Sequence, residues 1–336
     1  MPESLPSPPE PPPSAPNTPT PVEKQPWRGE LWMVVLSVLA VAFMILIGVT
    51  MVTFVLTFMI PADPVAMLAG RNATAQTREQ IRHQLGLDRP LPVQYLAYVG
   101  RLAVGDFGKS YARKSDVGAL IASRLPPTLL LMLGAILAEL MIGIPAGIYA
   151  ASRRGRSADK VAMTLSFVTV STPQFVVGLT LLYVFAYLLS WFPLSGYGSM
   201  SNLVLPAVTL GMAGGGWYSR MTRSSMIEVL RQDYIRTARA KGMGEGRVLL
   251  VHGLRNAALP IIAMIGLDIG IFMSGVVVVE NVFGWPGIGQ LMWQAIQSLD
   301  IPIIMGVTTV AAVFIVLGNF VADLIAPLID PRIRLR

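Results

Sequence analysis

The chain has 336 residues, of which 53% are apolar and only 13% are charged, and its formal net charge is +7. Because the few charges separate long apolar runs, this composition predicts an integral membrane protein and excludes an ordinary soluble domain. The excess of Lys and Arg flanks the apolar runs, where membrane orientation explains it, so it gives no reason to expect a nucleic-acid partner.

Residues 1–29 are predicted to form a disordered, proline-rich cytoplasmic tail. Eleven prolines fall within residues 1–26, among Ser, Thr and Glu. Such a segment cannot form regular backbone hydrogen bonds and has little apolar surface to bury. The remainder, residues 30–336, is predicted to be a single membrane domain.

The first apolar run predicts a membrane span followed by a large extracytoplasmic insertion. Met33 to Ile60 contains 28 residues without a charge, more than the roughly 20 that a helix needs to cross a bilayer. Pro61 ends the run. We expect the polar residues 61–126 to form small helices over the mouth of a membrane pathway.

Five further apolar runs predict five more spans. Their approximate bounds are 128–151, 161–191, 202–229, 261–282 and 303–328. The third of the six spans contains Pro173, which we expect to kink the helix because proline removes a backbone donor. Ser171 or Thr172 can satisfy the carbonyl that the proline leaves without a partner.

Basic residues in the short connections are confined to one side of the predicted membrane. Residues 152–160, 220–260 and 331–336 contain 4, 8 and 3 Lys or Arg, whereas 192–201 and 283–302 contain none. The positive-inside bias therefore predicts six transmembrane helices with both termini in the cytoplasm.

The connection at about 231–259 is predicted to carry a short cytoplasmic helix between the fourth and fifth spans. Helix-forming residues from Tyr234 to Lys241 precede Gly242, which can end a helix. A second helical run extends from Arg247 to Pro260. A short helix held at the cytoplasmic face of a membrane protein is typical of a docking surface.

The segment Arg236-Thr237-Ala238-Arg239-Ala240-Lys241-Gly242 resembles the EAA loop of permease subunits in binding-protein-dependent ABC importers, in their dipeptide and oligopeptide branch. Ala238 and Gly242 match the second Ala and the Gly of that motif. Arg236 replaces its Glu, and Thr237 replaces its first Ala. Four other segments also resemble segments of this family and follow one another in the same order along the chain. They are Pro61 to Val65, Leu85 to Tyr95, Gly105 to Ser110, and Phe283 to Leu291 with its Trp-Pro-Gly-Ile-Gly turn.

The resemblance covers residues 30–336 and implies an all-α permease subunit of the bacterial inner membrane. It implies four kinds of partner: a second homologous permease, two ATP-binding subunits, an extracytoplasmic solute-binding protein and membrane lipid. ATP and Mg²⁺ would act in the ATP-binding subunits, so this chain is expected to be neither an enzyme nor a cofactor-binding protein. The implied solute is a di- or oligopeptide, with nickel, haem, glutathione and oligosaccharide as alternatives.

The resemblance also implies that the EAA-like loop contains the coupling helix, which fits a groove in an ATP-binding subunit. The residues that carry this expectation are Tyr234, Arg236, Thr237, Ala238, Arg239, Lys241 and Gly242. The three cations would complement the charge of the groove, and Ala238 and Gly242 would permit close approach.

Ionisable residues inside predicted spans are candidates for a polar translocation path, because burying them is costly. Glu139 and Asp268 lie within spans, and we group them with Pro173 as path candidates. A structural hydrogen bond is the alternative for each acid and also for Asp323. Trp285, with Pro286, is a candidate for the outer mouth, and its alternative is an aromatic anchor at the membrane interface.

Two other classes of protein remain open from the residues alone. An ion-coupled secondary transporter could use Glu139, Asp268 and Asp323 as a proton or cation relay. A noncatalytic scaffold would not need buried acids. The chain has no Cys and only two His residues, which argues against a metal site, a disulfide and a thiol nucleophile.

Overall fold

The structure is a computed structural model, and it describes residues 28–59, 64–69 and 73–329. Most of the predicted tail, the turn around Ala62 and the basic C-terminal residues 331–336 lie outside these residues, as does the side chain of Asp323. All named elements in the described residues are helices, which confirms the predicted all-α class. An isolated antiparallel bridge joins Lys109 to Asp116.

Fourteen helices follow one another in the described residues. They are α1 (Arg28–Met59), α2 (Pro64–Ala69), α3 (Ala75–Gln84), α4 (Leu91–Ala103), α5 (Val117–Ser152), α6 (Ser157–Ser171), α7 (Gln174–Leu181), α8 (Met200–Val229), α9 (Asp233–Ala240), α10 (Glu245–Arg247), α11 (Arg255–Gly275), α12 (Val277–Val282), α13 (Ile288–Gln297) and α14 (Ile301–Ile329). Two π-helical segments extend this set: Leu182–Leu188 continues α7, and Val248–Leu254 joins α10 to α11.

Four helical segments in the described residues are long and apolar enough to cross a membrane. They lie in α1, α5, the continuous helix from α10 to α11, and α14. A fifth is obtained if α6 and α7 with its π-helical extension form one broken span. Helix α8 occupies the place of the predicted fourth span, but it contains the run Gly214-Gly215-Gly216 and two arginines.

Pro173 breaks the predicted third span and does more than kink it. Helix α6 ends at Ser171 and α7 begins at Gln174, with a bend of 100° between the two parts. Thr172 is extended, as the residue before a proline prefers. Its Oγ1 donates at 2.7 Å to the carbonyl of Val168, which already accepts from the Thr172 amide, so this bond does not replace the donor that Pro173 lacks. A hydroxyl partner for the carbonyl that Pro173 leaves free stays a prediction.

Two predicted boundaries are wrong because prolines lie inside helices. Helix α5 begins at Val117, eleven residues before the predicted Thr128, and Asp116 caps it by accepting from the amide of Ala119 at 2.7 Å. The last part of the predicted insertion is therefore helical. The second helical run of the basic connection is predicted to end at Pro260, but α11 continues through this residue to Gly275.

Small residues bring α5 and α8 into close contact. Gly143 of α5 lies against Tyr218 and Gly215 of α8, and a Cβ at Gly143 would overlap both. Gly211 of α8 lies equally close to Ala138 of α5. These glycines permit the backbones of α5 and α8 to approach closely, so they serve packing within the chain.

The insertion is attached to the bundle through a buried carboxylate. Asp300, which immediately precedes α14, accepts from the Ser110 hydroxyl at 2.5 Å and from the amides of Tyr111 and Ala112 at 3.1 and 3.0 Å. Three donors satisfy this fully buried side chain. The small helices predicted for the insertion are present as α2, α3 and α4.

Candidate functional site

The predicted helix in the basic connection is confirmed as α9, Asp233–Ala240. Gly242 follows it with φ +77°, a left-handed conformation that glycine adopts without steric cost. The amide of Gly242 donates to the carbonyl of Arg239 at 2.9 Å. The predicted end of the helix at Gly242 is therefore also confirmed.

One face of α9 is anchored to the chain's own next helix. Ile235 and Ala238 are 0% and 6% exposed and cluster with the buried Val248 of the π-helical segment. Leu230 and Met243 pack at the edge of this cluster. Ala238 therefore packs against its own chain, which corrects the expectation that it permits close approach of another subunit.

The opposite face of α9 is polar and exposed. Arg236 is the most exposed of its cations, with 78% of its side chain accessible, and lies 3.7 Å from Asp233. Arg239 donates from Nη2 and Nε to the Glu245 carboxylate at 2.6 and 3.1 Å. This hydrogen-bonded ion pair lowers the pKa of Glu245 and closes the turn at Gly242. Tyr234, Thr237 and Lys241 complete the exposed surface.

The two predicted path acids lie together between three helices. Glu139 of α5 is 2% exposed, and its carboxyl group lies beside that of Asp268 on α11. The buried hydroxyl of Tyr218 on α8 donates to Asp268 Oδ2. The Glu139 carboxyl group occupies the space where a Cβ of Gly214 would lie, so a larger residue here would displace the Glu139 side chain.

This acid cluster, Glu139, Asp268 and Tyr218, joins three helices of the bundle. Glu139 Oε2 has no hydrogen-bond partner among the described residues. The cluster therefore ties α5, α8 and α11 together and retains one unused acceptor. Sequence reasoning missed Tyr218, although a tyrosine inside an apolar helix needs a polar partner.

Trp285 is buried at the turn between α12 and α13. The residue is 1% exposed, its Nε1 donates to the carbonyl of Pro127 at 2.9 Å, and its ring packs edge-on against Tyr197. The alternative of an anchor at the membrane interface is therefore wrong for this side chain. Pro286, beside it, is half-buried.

Glu280, a fully buried residue that sequence reasoning missed, organises the same turn. Its carboxylate accepts from Thr128 Oγ1 and from the amide of Gln290, both at 2.7 Å. Thr128 Oγ1 in turn accepts from the amide of Ile288 at 2.9 Å. A Cβ at Gly287 would overlap the Glu280 carboxylate, which explains a glycine in the Trp-Pro-Gly-Ile-Gly turn. These bonds fasten the turn to α5 beside a cavity of about 290 Å³.

We expect Thr128→Val to destabilise the protein by about 1–3 kcal/mol, the cost of leaving buried hydrogen-bonding groups unsatisfied. The substitution preserves shape but removes the donor to Glu280 and the acceptor for the Ile288 amide. Thermal unfolding in detergent measures the effect. Thr180→Val is the matched control, because its exposed hydroxyl bonds only the Val176 carbonyl of its own helix. Equal melting temperatures for both variants would contradict the role assigned to Thr128.

These features define the class of protein. Several apolar helices are suited to a membrane, a polar cluster joins three of the helices of the bundle, and a short basic helix is fixed to the base of α11. This is the organisation of a polytopic membrane protein.

The chain belongs to the family of binding-protein-dependent transport system inner membrane components, whose model matches residues 143–335. A model of the N-terminal part of such membrane components matches residues 31–132. The chain is therefore an inner-membrane permease component of an ABC importer. This membership decides against the ion-coupled transporter and the scaffold that the residues alone left open.

Curated relatives share most of this chain. The oligopeptide transport system permease protein AppB of Bacillus subtilis is 43% identical over 300 residues, covering 86% of this chain and 95% of the relative. The glutathione transport system permease protein GsiC of Escherichia coli K12 is 41% identical over 286 residues, covering 85% and 94%.

Solved structures of the MetNI methionine ABC transporter in inward facing conformations share the fold. The match has a TM-score of 0.53 at 16% identity, and it covers 62% of this chain and 96% of the matched chain. At this identity the likeness concerns the fold alone.

Proposed function

We propose that this chain forms, with a second homologous permease, the translocation path for peptides delivered by an extracytoplasmic solute-binding protein. The supporting observation is the similarity, over 85–86% of the chain, to permeases of oligopeptide and glutathione transport systems, since glutathione is itself a short peptide. Two separate ATP-binding subunits hold ATP and Mg²⁺ and supply the energy. The chain itself binds no cofactor and is not an enzyme.

The proposed topology has six spans with both termini in the cytoplasm. Helices α1, α5, α6–α7, α8, α11 and α14 supply one span each, with α6–α7 as a broken span. The distribution of Lys and Arg in the connections supports this orientation. It places α9 in the cytoplasm and the insertion with α2–α4 outside.

Helix α9 is the proposed coupling helix, and its anchored face gives it a mechanical role. An ATP-binding subunit docks on the exposed face with Tyr234, Arg236 and Lys241. Because Ile235 packs against Val248 at the base of α11, displacement of α9 moves α11 and its Asp268. Alternating access then follows from a shift between two arrangements of the helices. In this mechanism the translocation path changes shape at Glu139, Asp268 and the break at Pro173. Trp285 and Pro286 close the outer mouth of this path.

The docking surface can be tested by disulfide cross-linking, since the chain has no natural Cys. Arg236→Cys is suited to this because its side chain is highly exposed, whereas Arg239 is paired with Glu245. In the assembled complex we expect cross-links from this position to a single Cys in the ATP-binding subunit, with a yield that changes on addition of ATP. Arg78→Cys in the exposed helix α3 is the control and should give none. Cross-links from neither position, in a complex that still transports, would contradict the assignment of α9.

A further inference from the structure

Helix α4 of the insertion has two apolar faces. One face packs on the bundle through Tyr95, Tyr98 and Leu102, which cluster with residues of α1 and α14. The opposite face is uncharged and exposed, and its residues follow one another at helical spacing: Val93, Leu96, Ala97, Gly100 and Val104. Leu96 and Val104 are 68% and 80% exposed. A helix that is apolar on both sides is typical of an apolar environment, so its free face is not suited to water.

The contacts of the packed face place α4 beside membrane-spanning residues. The Tyr95 hydroxyl donates to the carbonyl of Ile47 in α1 at 3.2 Å, and the Tyr98 hydroxyl is hydrogen-bonded to Thr309 in α14 at 3.3 Å. Both partners lie within stretches of α1 and α14 that are long and apolar enough to cross a membrane. Thr309 is eight residues from the start of α14 at Ile301, which is about 12 Å of helix. Half of a hydrocarbon core measures about 15 Å, so these contacts lie at the depth of acyl chains.

The lipid-facing surface of α1 continues into the free face of α4. Phe54 of α1 packs against both tyrosines, with its ring centre 5.4 Å from that of Tyr95 and 6.1 Å from that of Tyr98. The body of α4, and not only its hydroxyl groups, is therefore level with the apolar part of α1. Only 11% of the most apolar stretch of α1 is buried in the described part of the chain. Met51 and Val55, each next to a residue that contacts α4, are 55% and 51% exposed.

A groove beside α4 has the same apolar character. It has a volume of about 390 Å³ and lies between α4, α5 and α14, with Leu102, Ile121 and Phe314 among its walls. The hydroxyl of Thr309, which also lines the groove, already donates to the carbonyl of Met305 at 2.8 Å. Because water in a cavity needs several polar partners, this groove is better suited to an acyl chain than to water.

The polar residues of the insertion leave the free face of α4 uncharged. Gln94 and Arg101 of α4 are seven residues apart and therefore lie on one flank of the helix. Gln94 donates to the carbonyl of Arg89 at 2.7 Å, and a long cationic side chain such as that of Arg101 can extend to the headgroups. Helix α3 differs, since it carries Arg78 and none of its ten residues is buried. Helix α3 is therefore suited to water, whereas α4 is suited to a membrane interface.

We propose that α4 lies in the outer leaflet of the membrane, with the face that contains Val93, Leu96 and Gly100 against lipid acyl chains and with an acyl chain in the groove between α4, α5 and α14. The choice of leaflet rests on the proposed topology, which puts the insertion on the extracytoplasmic side. The embedded helix fastens the insertion to α1 and α14 and leaves α3 in water for an extracytoplasmic partner.

Spin labelling of single cysteines tests the position of α4, since the chain has no natural Cys. The label is attached to Leu96→Cys in the complex with cysteine-free partner subunits, in vesicles of phosphatidylethanolamine and phosphatidylglycerol. Collisions of the label with oxygen, which is apolar, and with nickel ethylenediaminediacetate, which is polar, are then measured. We expect the ratio of oxygen to nickel collisions to be at least about tenfold higher for Leu96→Cys than for Arg78→Cys in α3, because hydrocarbon excludes the polar chelate. Val93→Cys, on the same face of α4, should also give a high ratio.

Two other results would overturn the proposal. Frequent collisions with the nickel chelate at Leu96→Cys and Val93→Cys would show that this face lies in water, where a solute-binding protein could reach it. Few collisions with either reagent would show that protein, such as the second permease, covers it.

The side of the membrane is tested separately by a membrane-impermeant maleimide added to intact cells. We expect it to label Arg78→Cys in α3. Without labelling from outside, the proposed orientation of the chain would be wrong and α4 would be assigned to the inner leaflet. The collision ratio at Leu96→Cys does not depend on this orientation, so it tests the contact of α4 with lipid by itself.

Discussion

Replacing Ile235 of α9 with Ala is expected to reduce ATP-driven solute uptake at least about tenfold while the protein still inserts into the membrane. A fully buried Ile side chain contributes about 1.5–3 kcal/mol to packing, and Ile235 is the largest buried side chain of its small cluster. An isolated helix of eight residues is not stable in water. Without this anchor, α9 no longer moves together with the base of α11.

The readout is uptake by proteoliposomes that contain the whole complex, with ATP hydrolysis measured in parallel. We expect hydrolysis to continue with little uptake, because the defect lies in transmission of movement. Leu250→Ala is the control, since Leu250 belongs to the same π-helical segment as Val248 but is 58% exposed. Native uptake by the Ile235→Ala complex would show that the packed face of α9 does not transmit the movement.

Local signals in the sequence predict α9 well but do not reveal its orientation. Helix-forming residues followed by Gly242 place the helix within one residue of its observed bounds. Which face is buried depends on Val248, a residue that lies beyond the turn. For this reason Ala238 could be assigned to contact with another subunit on motif resemblance, whereas tertiary packing buries it within the chain.

The long apolar runs predict the helices of the bundle, but the prolines do not correctly predict where these helices begin and end. Pro126 and Pro127 precede the most apolar part of α5 and suggest a loop, yet the Asp116 cap starts the helix earlier. Conversely, Pro173 does break its helix, because Thr172 adopts an extended conformation. The choice between these outcomes depends on packing and on local hydrogen-bond partners, which residue type alone does not specify.

The polar sites are predictable in part. An acid inside an apolar run is conspicuous, and so Glu139 and Asp268 are found from the sequence. Their contact with each other and with Tyr218 is a property of three helices that are far apart in the chain. Glu280 gives no such signal, because it lies at the end of an apolar run, where an acid is not unusual.

Asp268→Ala is expected to have the second large effect, a loss of both stability and uptake. Asp268 is the acceptor for the buried Tyr218 hydroxyl and lies in contact with the buried Glu139 carboxyl group. Its removal leaves the Tyr218 hydroxyl and the Glu139 carboxyl group without this partner. Each loss is expected to lower the free energy of unfolding by about 1–3 kcal/mol. Thermal unfolding in detergent and uptake by proteoliposomes measure the two consequences separately.

Asp268→Asn distinguishes a structural role from a role in the path. The amide oxygen still accepts from Tyr218, and the amide NH₂ can donate to the neighbouring Glu139 carboxyl group. We therefore expect Asp268→Asn to restore most of the stability lost in Asp268→Ala. If uptake stays low in this stable variant, the acid cluster contributes to transport through its charge or its proton. If uptake returns with stability, the cluster acts as a hydrogen-bonded joint between α5, α8 and α11. Native stability and uptake in Asp268→Ala would show that neither role is needed.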